Sequence, residues 1–442
     1  MRAIRDTQGR DMRKALPWAG VLCVVVFASW VLFFHTKPSP TDVVRKNAER
    51  GDAKAQAELG GMYSSGSGVA KDDAQAVSWW QKAADQGNAL AQYNLAAMYD
   101  AGRGVAKDEA QAFLLCRKAA LQGLVQAQYN LGMLYARGHG VEKNLAQAAQ
   151  WYRKAAEQGN ADAQAKLGGM YFSGGGVEKD DAQATDWLRK ASGQGNAEAQ
   201  TILGVMYQKG LGMVQDDAQA LALFRKAAEQ GNALAQYNLG VLYFEGKSMA
   251  RDYAQALGWW RKAADQGDAN AQNKLGFMSM QGLGVEKDYT QAMAWFNKAA
   301  QQGNADAQYN LGIMYERGFG VEKDYAQALA WYGKAAGQGN PIAQTNLGVM
   351  CLRGLGMAKD YTQAFGWFRK AAARGLAPAQ MNLGTMYEKG LGLKKDVVQA
   401  EAWYRKAADQ GFAPAKNQLR ALKASGNGAP SAKHKEDAKK HQ

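Results

Sequence analysis

Residues 91–123 read AQYNLAAMYDAGRGVAKDEAQAFLLCRKAALQG, and this stretch decides the fold because it returns along the chain without insertion or deletion. Its opening Ala-Gln, with a leucine three residues beyond the glutamine, aligns the alanines Ala55, Ala91, Ala127, Ala163, Ala199, Ala235, Ala271, Ala307, Ala343 and Ala379, each 36 residues from the last. Ten whole units therefore run from Asp52 to Gly411. A fixed period of this size marks stacked supersecondary units instead of one globular core.

Each unit reads as two helices. In the first unit the apolar positions Ala55, Leu59, Met62 and Tyr63 form one helical stripe, and Ala76, Trp79, Trp80 and Ala83 form a second. Gly66 and Gly68 separate them, and a glycine at the Gly66 position stands in every unit, as expected where the backbone turns through positive φ. Asp72 with Gln75 three residues on predicts a capping box at the start of the second helix. Gly87 marks its end, and Asn88, Asn160, Asn196, Asn232, Asn304 and Asn340 are expected to cap the first helix that follows. Small residues at Gly60 and Ala76 allow close approach of the pair. Tryptophans at the Trp79 position are expected in the core between layers. One pair cannot bury both of its faces, so successive pairs must stack.

The string Ala91, Gln92, Leu95, Tyr99, Gly102, Gly104, Val105, Asp108, Ala112, Lys118, Ala119, Ala120 and Gly123 resembles the Sel-one-like repeat, a relative of the tetratricopeptide repeat, over 52–411. Departures are local. Ala96 replaces the close-contact glycine, Ser248 the second turn glycine, and Ser279 and Cys351 the repeat tyrosine. The resemblance implies an all-α, right-handed α/α superhelical solenoid of ten 36-residue helix-turn-helix repeats. Residues 35–51 are expected to be a linker and N-terminal cap, 412–423 a C-terminal capping helix and 424–442 a disordered basic tail.

The uncharged run 15–34 is long enough to cross a bilayer as a helix and lacks a small-x-small cleavage pattern. With Arg2, Arg5, Arg10, Arg13 and Lys14 before it, the expectation is one transmembrane signal-anchor helix preceding the repeats, and a cytoplasmic basic segment 1–14. The chain would then be a single-pass inner-membrane protein with its repeats in the periplasm or outside. Cleavage of that segment would instead give a secreted host-binding or virulence factor.

Chemistry is thinly supplied. Cys23, Cys116 and Cys351 lie too far apart to suggest a disulfide framework, and Cys116 and Cys351 are expected to be free, buried thiols. Of four histidines only His139 lies inside the repeats, which leaves little for metal or imidazole chemistry. Asp72 and its counterparts recur once per unit at helix starts, a structural spacing and not a catalytic one. Gly66-Ser67-Gly68 lacks the strand and lysine of a phosphate loop. No catalytic residue, cofactor or metal is expected. Relatives that carry an enzyme label hold a cysteine pair in each repeat, which this chain lacks, and a peptidoglycan or β-lactam hydrolase is the minor alternative. The net charge of +14 divides unevenly, with six basic and two acidic groups in residues 1–40, but no long segment is a concentrated polycation, and the Arg-Lys pairs from Arg117-Lys118 to Arg405-Lys406 sit late in second helices, where cations complement the helix dipole, so no nucleic-acid partner is expected.

In related repeats the first helices line a concave face that grips peptides, and the resemblance carries that role to a ladder of side chains here. The pairs are Tyr93 with Asn94, Tyr129 with Asn130, Tyr237 with Asn238 and Tyr309 with Asn310, continued by Asn346 and Asn382. Asn offers a donor and an acceptor to an extended chain, and Tyr gives rigid area with a polar tip, which suits a protein or polysaccharide partner. Phe172, Phe244, Met280 and Leu352, one position after the repeat tyrosine, are expected to pack against the neighbouring repeat. The functional expectation is a membrane-anchored interaction scaffold.

Overall fold

The computed structural model describes residues 39–246 and 249–424, and among these there are 22 helices and no strand. Helix α1 (Pro40–Glu49) precedes ten helix pairs, from α2 (Ala53–Ser65) with α3 (Asp73–Asp85) to α20 (Ala377–Lys389) with α21 (Val397–Asp409), and α22 (Ala413–Ala424) follows. The chain falls into two compact units, one through Ala199 and one from Gln200, each a run of helix pairs.

The paired helices are 13 residues long because both ends are fixed chemically. First helices start at a capping Asn or Asp, as where the Asn88 carboxamide accepts from the Ala91 amide at 2.9 Å, and stop at a left-handed glycine such as Gly102 (φ 64°). Leu124 and Leu376 stand at this cap without a side-chain bond. Second helices start at Asp72 and its counterparts, with Asn144 in the third repeat, whose side-chain oxygens accept from the amide three residues on. The expected reciprocal half of the capping box is replaced. The Asp72 amide donates instead to the Tyr63 carbonyl at 2.9 Å, and Asp108 does the same to Tyr99 at 3.0 Å. Asp288 uses the Ser279 carbonyl and Asp360 the Cys351 carbonyl, so this staple survives loss of the tyrosine side chain. The Ser248 departure lies outside the described residues.

The Ala-Gln motif also has a physical cause. Gln92 is buried, its Nε2 donates to the Ala84 carbonyl in the last turn of α3, and its Oε1 accepts from Gln122 at the end of its own repeat. The Ala84 carbonyl already accepts from the Gly87 amide at 2.9 Å, so the glutamine supplies its second donor and joins two repeats.

The core is a large side chain driven into a glycine in nine of the ten repeats. Trp80, Tyr152, Leu188, Phe224, Trp260, Phe296, Tyr332, Phe368 and Tyr404, all rings but Leu188, are buried on second helices, one in each repeat except the second. A Cβ at Gly132 would lie 2.6 Å from the Tyr152 ring, so only glycine admits it. The tryptophans one position earlier, expected in the core, are half-buried except Trp151. They sit at the edge of the packing with a lysine three residues on over the indole, Lys82 4.0 Å from the Trp79 ring and Lys334 4.0 Å from Trp331. Helical periodicity places positions 79 and 80 about 100° apart, so only one can face the first helix.

The expected membrane placement is corrected. Among the described residues no helix is long and apolar enough to cross a membrane. A helix of 13 residues spans roughly 20 Å against a hydrocarbon core of about 30 Å, and these helices carry charges. The run 15–34 on which that placement rested lies outside the described residues, and the localisation to an inner membrane with periplasmic repeats is not retained.

Candidate functional site

All ten ladder residues lie on first helices and are half-buried. Much of their bonding capacity is spent between neighbouring repeats. Asn130 Nδ2 donates to Tyr93 Oη at 3.1 Å, Asn310 donates to Asn273 at 2.9 Å, and the Asn346 carboxamide acts to lower the pKa of the Tyr309 and Tyr332 hydroxyls against the raising effect of burial. Tyr129 tilts against Tyr152 with ring centroids 5.8 Å apart, and the Tyr237 carbonyl accepts from Trp260 Nε1 at 3.0 Å. Burial raises the pKa of Tyr129, Tyr237 and Tyr309. Asn238 Nδ2 is buried without a partner, because Thr201 occupies the position from which Tyr93 and Tyr309 answer the amide in other repeats. Among the described residues Asn94 and Asn382 have no hydrogen-bonding partner, which leaves their carboxamides available.

The same row carries Glu58, Lys166, Ile202 and Lys274 where other repeats have Asn, while the neighbouring glutamine and leucine never change. Its side chains, half-buried apart from the exposed Glu58, therefore differ from repeat to repeat over a constant frame. Phe244, by contrast, is taken up by packing, with Tyr253 and Trp260 rings both 5.5 Å away, and Met280 is buried.

One region departs from the pattern. In the second repeat the floor position holds Cys116, not a ring or leucine, and the glycine opposite is Ala96. The short side chain leaves a cavity of about 210 Å³ that opens between the two first helices carrying Tyr93 and Asn130. Ala96, Ala112 and Cys116 floor it, and Asp100 and His139, 2.7 Å apart, stand at its edge. The Cys116 thiol donates to the Ala127 carbonyl at 3.4 Å, and burial pushes its pKa up to about 12, so it stays protonated and acts as a small apolar group. Sequence reading noted Ala96 and Cys116 separately; their pairing across one helix contact was the signal for the cavity. Cys116 and Cys351 are both free and buried. Among the described residues no group of three or more His, Cys, Asp or Glu side chains is arranged to hold a metal.

The basic row has a local use. Besides the lysines over indoles, Arg225 donates to Tyr243 Oη at 3.0 Å and Arg153 to Tyr171 Oη.

No curated protein matches the chain. Among solved structures it is similar to a protective antigen present in uropathogenic Escherichia coli strains and displaying an SLR fold. That likeness has 41% identity and a TM-score of 0.75, and covers 90% of this chain and 84% of that one. It is also similar to a Sel1 repeat protein from Oxalobacter formigenes, with 33% identity and a TM-score of 0.52 over 55% of this chain and 96% of that one. The Sel1 repeat model matches ten times in succession, from 53–88 to 377–412. Ten consecutive matches on ten observed helix pairs, with a similar solved solenoid, place the chain in the Sel1 repeat family.

Proposed function

We propose that this protein is an interaction scaffold that binds extended segments of a partner protein along the first-helix row within each of its compact units. Solenoids of this family and its tetratricopeptide-like relatives suggest protein-protein interaction, and a repeated helix face is suited to an extended chain. The observation that carries the reading is the row itself. Asn94, Asn130, Asn238, Asn310, Asn346 and Asn382 alternate with Lys166, Ile202 and Lys274 at one register, half-buried, over invariant buried neighbours. Asn94 and Asn382 offer one acceptor and two donor hydrogens each to a partner's backbone.

The test exploits the chain's own substitutions. Lysine already occupies this register at Lys166 and Lys274, so Asn94→Lys with Asn238→Lys and Asn382→Lys keeps the fold. Crosslinked complexes captured by wild type should be lost from this variant. They should persist in a control altered on the second helices at Gln81 and Lys118. Equal capture by both variants would remove the first-helix row as the binding face.

A further inference from the structure

The cavity of the second repeat is best understood against the eighth, six periods of 36 residues further on. There Tyr332 fills the equivalent space, fully buried, with its ring centroid 5.7 Å from Tyr309. Its hydroxyl donates to Glu316 Oε2 at 2.7 Å, and the Asn346 carboxamide acts on the same hydroxyl to favour its ionised form. The tenth repeat repeats the device, with the Tyr404 hydroxyl 2.6 Å from Glu388 Oε2. Shifted back by six periods, Tyr309, Glu316 and Asn346 become Tyr93, Asp100 and Asn130, and all three line the cavity. The aromatic neighbour, the carboxylate and the carboxamide of a tyrosine site are therefore all present in the second repeat. The tyrosine alone is missing, and Cys116 stands in its place.

We propose that this cavity is a phenol-binding site, in which a guest ring lies between Tyr93 and the Ala96–Cys116 floor and its hydroxyl donates to Asp100. The space is sufficient, because an apolar cavity of roughly 150 Å³ already takes up benzene, and this one measures about 210 Å³. The Ala96 methyl stands where Gly312 leaves room for Tyr332, so a guest sits further from the floor than a built-in ring. A ring not tethered to the second helix is free to do so. Asp100 is held by His139 at 2.7 Å, which fixes the acceptor at the edge of the cavity. A hydrogen bond from a neutral hydroxyl to a carboxylate is among the stronger ones and selects phenols over plain arenes. The phenol can be a free small molecule or the tyrosine side chain of a polypeptide.

The test needs no partner protein, so it fails or succeeds independently of the scaffold reading. The whole chain is titrated with 4-fluorophenol, the ¹⁹F line is followed, and unlabelled p-cresol and toluene compete. Wild type should broaden the line, with p-cresol competing about ten-fold better than toluene. Asp100→Ala, at a half-exposed side chain, should bring p-cresol down to the level of toluene. Ala96→Gly with Cys116→Tyr builds the missing ring into its own floor and should abolish broadening in a chain whose circular dichroism is unchanged. Undiminished broadening by this filled variant overturns the proposal. So does p-cresol competing no better than toluene in wild type, a result that holds even if the filled variant does not fold. Competition by N-acetyl-tyrosinamide as well as p-cresol identifies a polypeptide source, and competition by p-cresol alone identifies a free phenol.

Discussion

Repeat two (89–124) and repeat eight (305–340) share a frame and differ at its centre. Both have the buried glutamine staple, the capping Asp and the Tyr–carboxylate–Asn fringe on the first-helix side. In repeat eight Tyr332 is pressed into Gly312; in repeat two Cys116 faces Ala96. The ring and the glycine therefore change together. Exchanging that one pair turns a closed core into a cavity without disturbing either helix boundary. In a solenoid the frame is set by caps and staples repeated in every unit, so the centre of a single repeat is free to vary.

The most damaging way to break the contrast is to convert one repeat into the other. Tyr332→Cys removes a fully buried ring and leaves Glu316 without its donor, and should cost about 3–5 kcal/mol in that repeat, measured by urea unfolding. It should also give the chain a second site for 4-fluorophenol, so the stoichiometry rises as the stability falls. Gly312→Ala tests the other half of the pair. A Cβ there would meet the Tyr332 ring at a distance no real contact shows, and overpacking of this kind costs about 1–3 kcal/mol. In the Tyr332→Cys background the same Gly312→Ala should be close to neutral, because repeat two tolerates Ala96 beside Cys116. A double-mutant cycle reads that coupling directly.

These contrasts also mark what could be read from sequence. The period, the helix pairs, the left-handed glycines and the capping residues were legible because each is a local rule repeated ten times. The Trp79 position was misjudged because two adjacent large residues compete for one face, and only the geometry shows that Trp80 wins and Trp79 lies under Lys82. The Ala-Gln motif was visible, but its cause was not, since the carbonyl it reaches lies on the preceding helix. The first-helix row could be named from the sequence, but the bonds that its members make were hidden because they join residues 37 apart, one more than the period. The cavity was missed because it is a relation between two substitutions that look minor one at a time.

A smaller effect follows from proton binding. Burial pushes the Cys116 thiol up to about 12 from an ordinary 9.0, and it raises the hydroxyls of Tyr152, Tyr332 and Tyr404 as well. An acid with a raised pKa keeps its proton in the folded state at a pH where the unfolded chain has released it. Its stabilising contribution is therefore complete below the unfolded pKa and shrinks as pH rises through the window up to the folded one. The urea midpoint should hold steady near neutral pH and fall from about pH 9 upward, by about 1 kcal/mol for the thiol alone at roughly pH 10. Cys116→Ala should flatten the lower part of that decline and leave the tyrosine part intact. An unchanged profile would mean that the floor of repeat two is wetter than its counterparts.

The smallest effect concerns the staple, where one unit again departs from the rest. Gln308 Oε1 accepts from Gln338 at 2.8 Å, and Gln380 from Gln410 at 2.8 Å. The repeat between them has Arg374 at the donor position, and Arg374 Nη1 turns to the Gly339 carbonyl at 2.5 Å. Gln344 Oε1 is consequently buried with no partner. Arg374→Gln should restore the missing bond at the loss of an exposed one, a net gain of about 0.5–1 kcal/mol. The same exchange in reverse, Gln410→Arg, should cost more, because it leaves Gln380 Oε1 buried and unpaired without an existing compensation. If both changes prove neutral, the glutamine pairs add nothing beyond the bond to the preceding helix. In that case the constancy of the motif rests on that carbonyl alone.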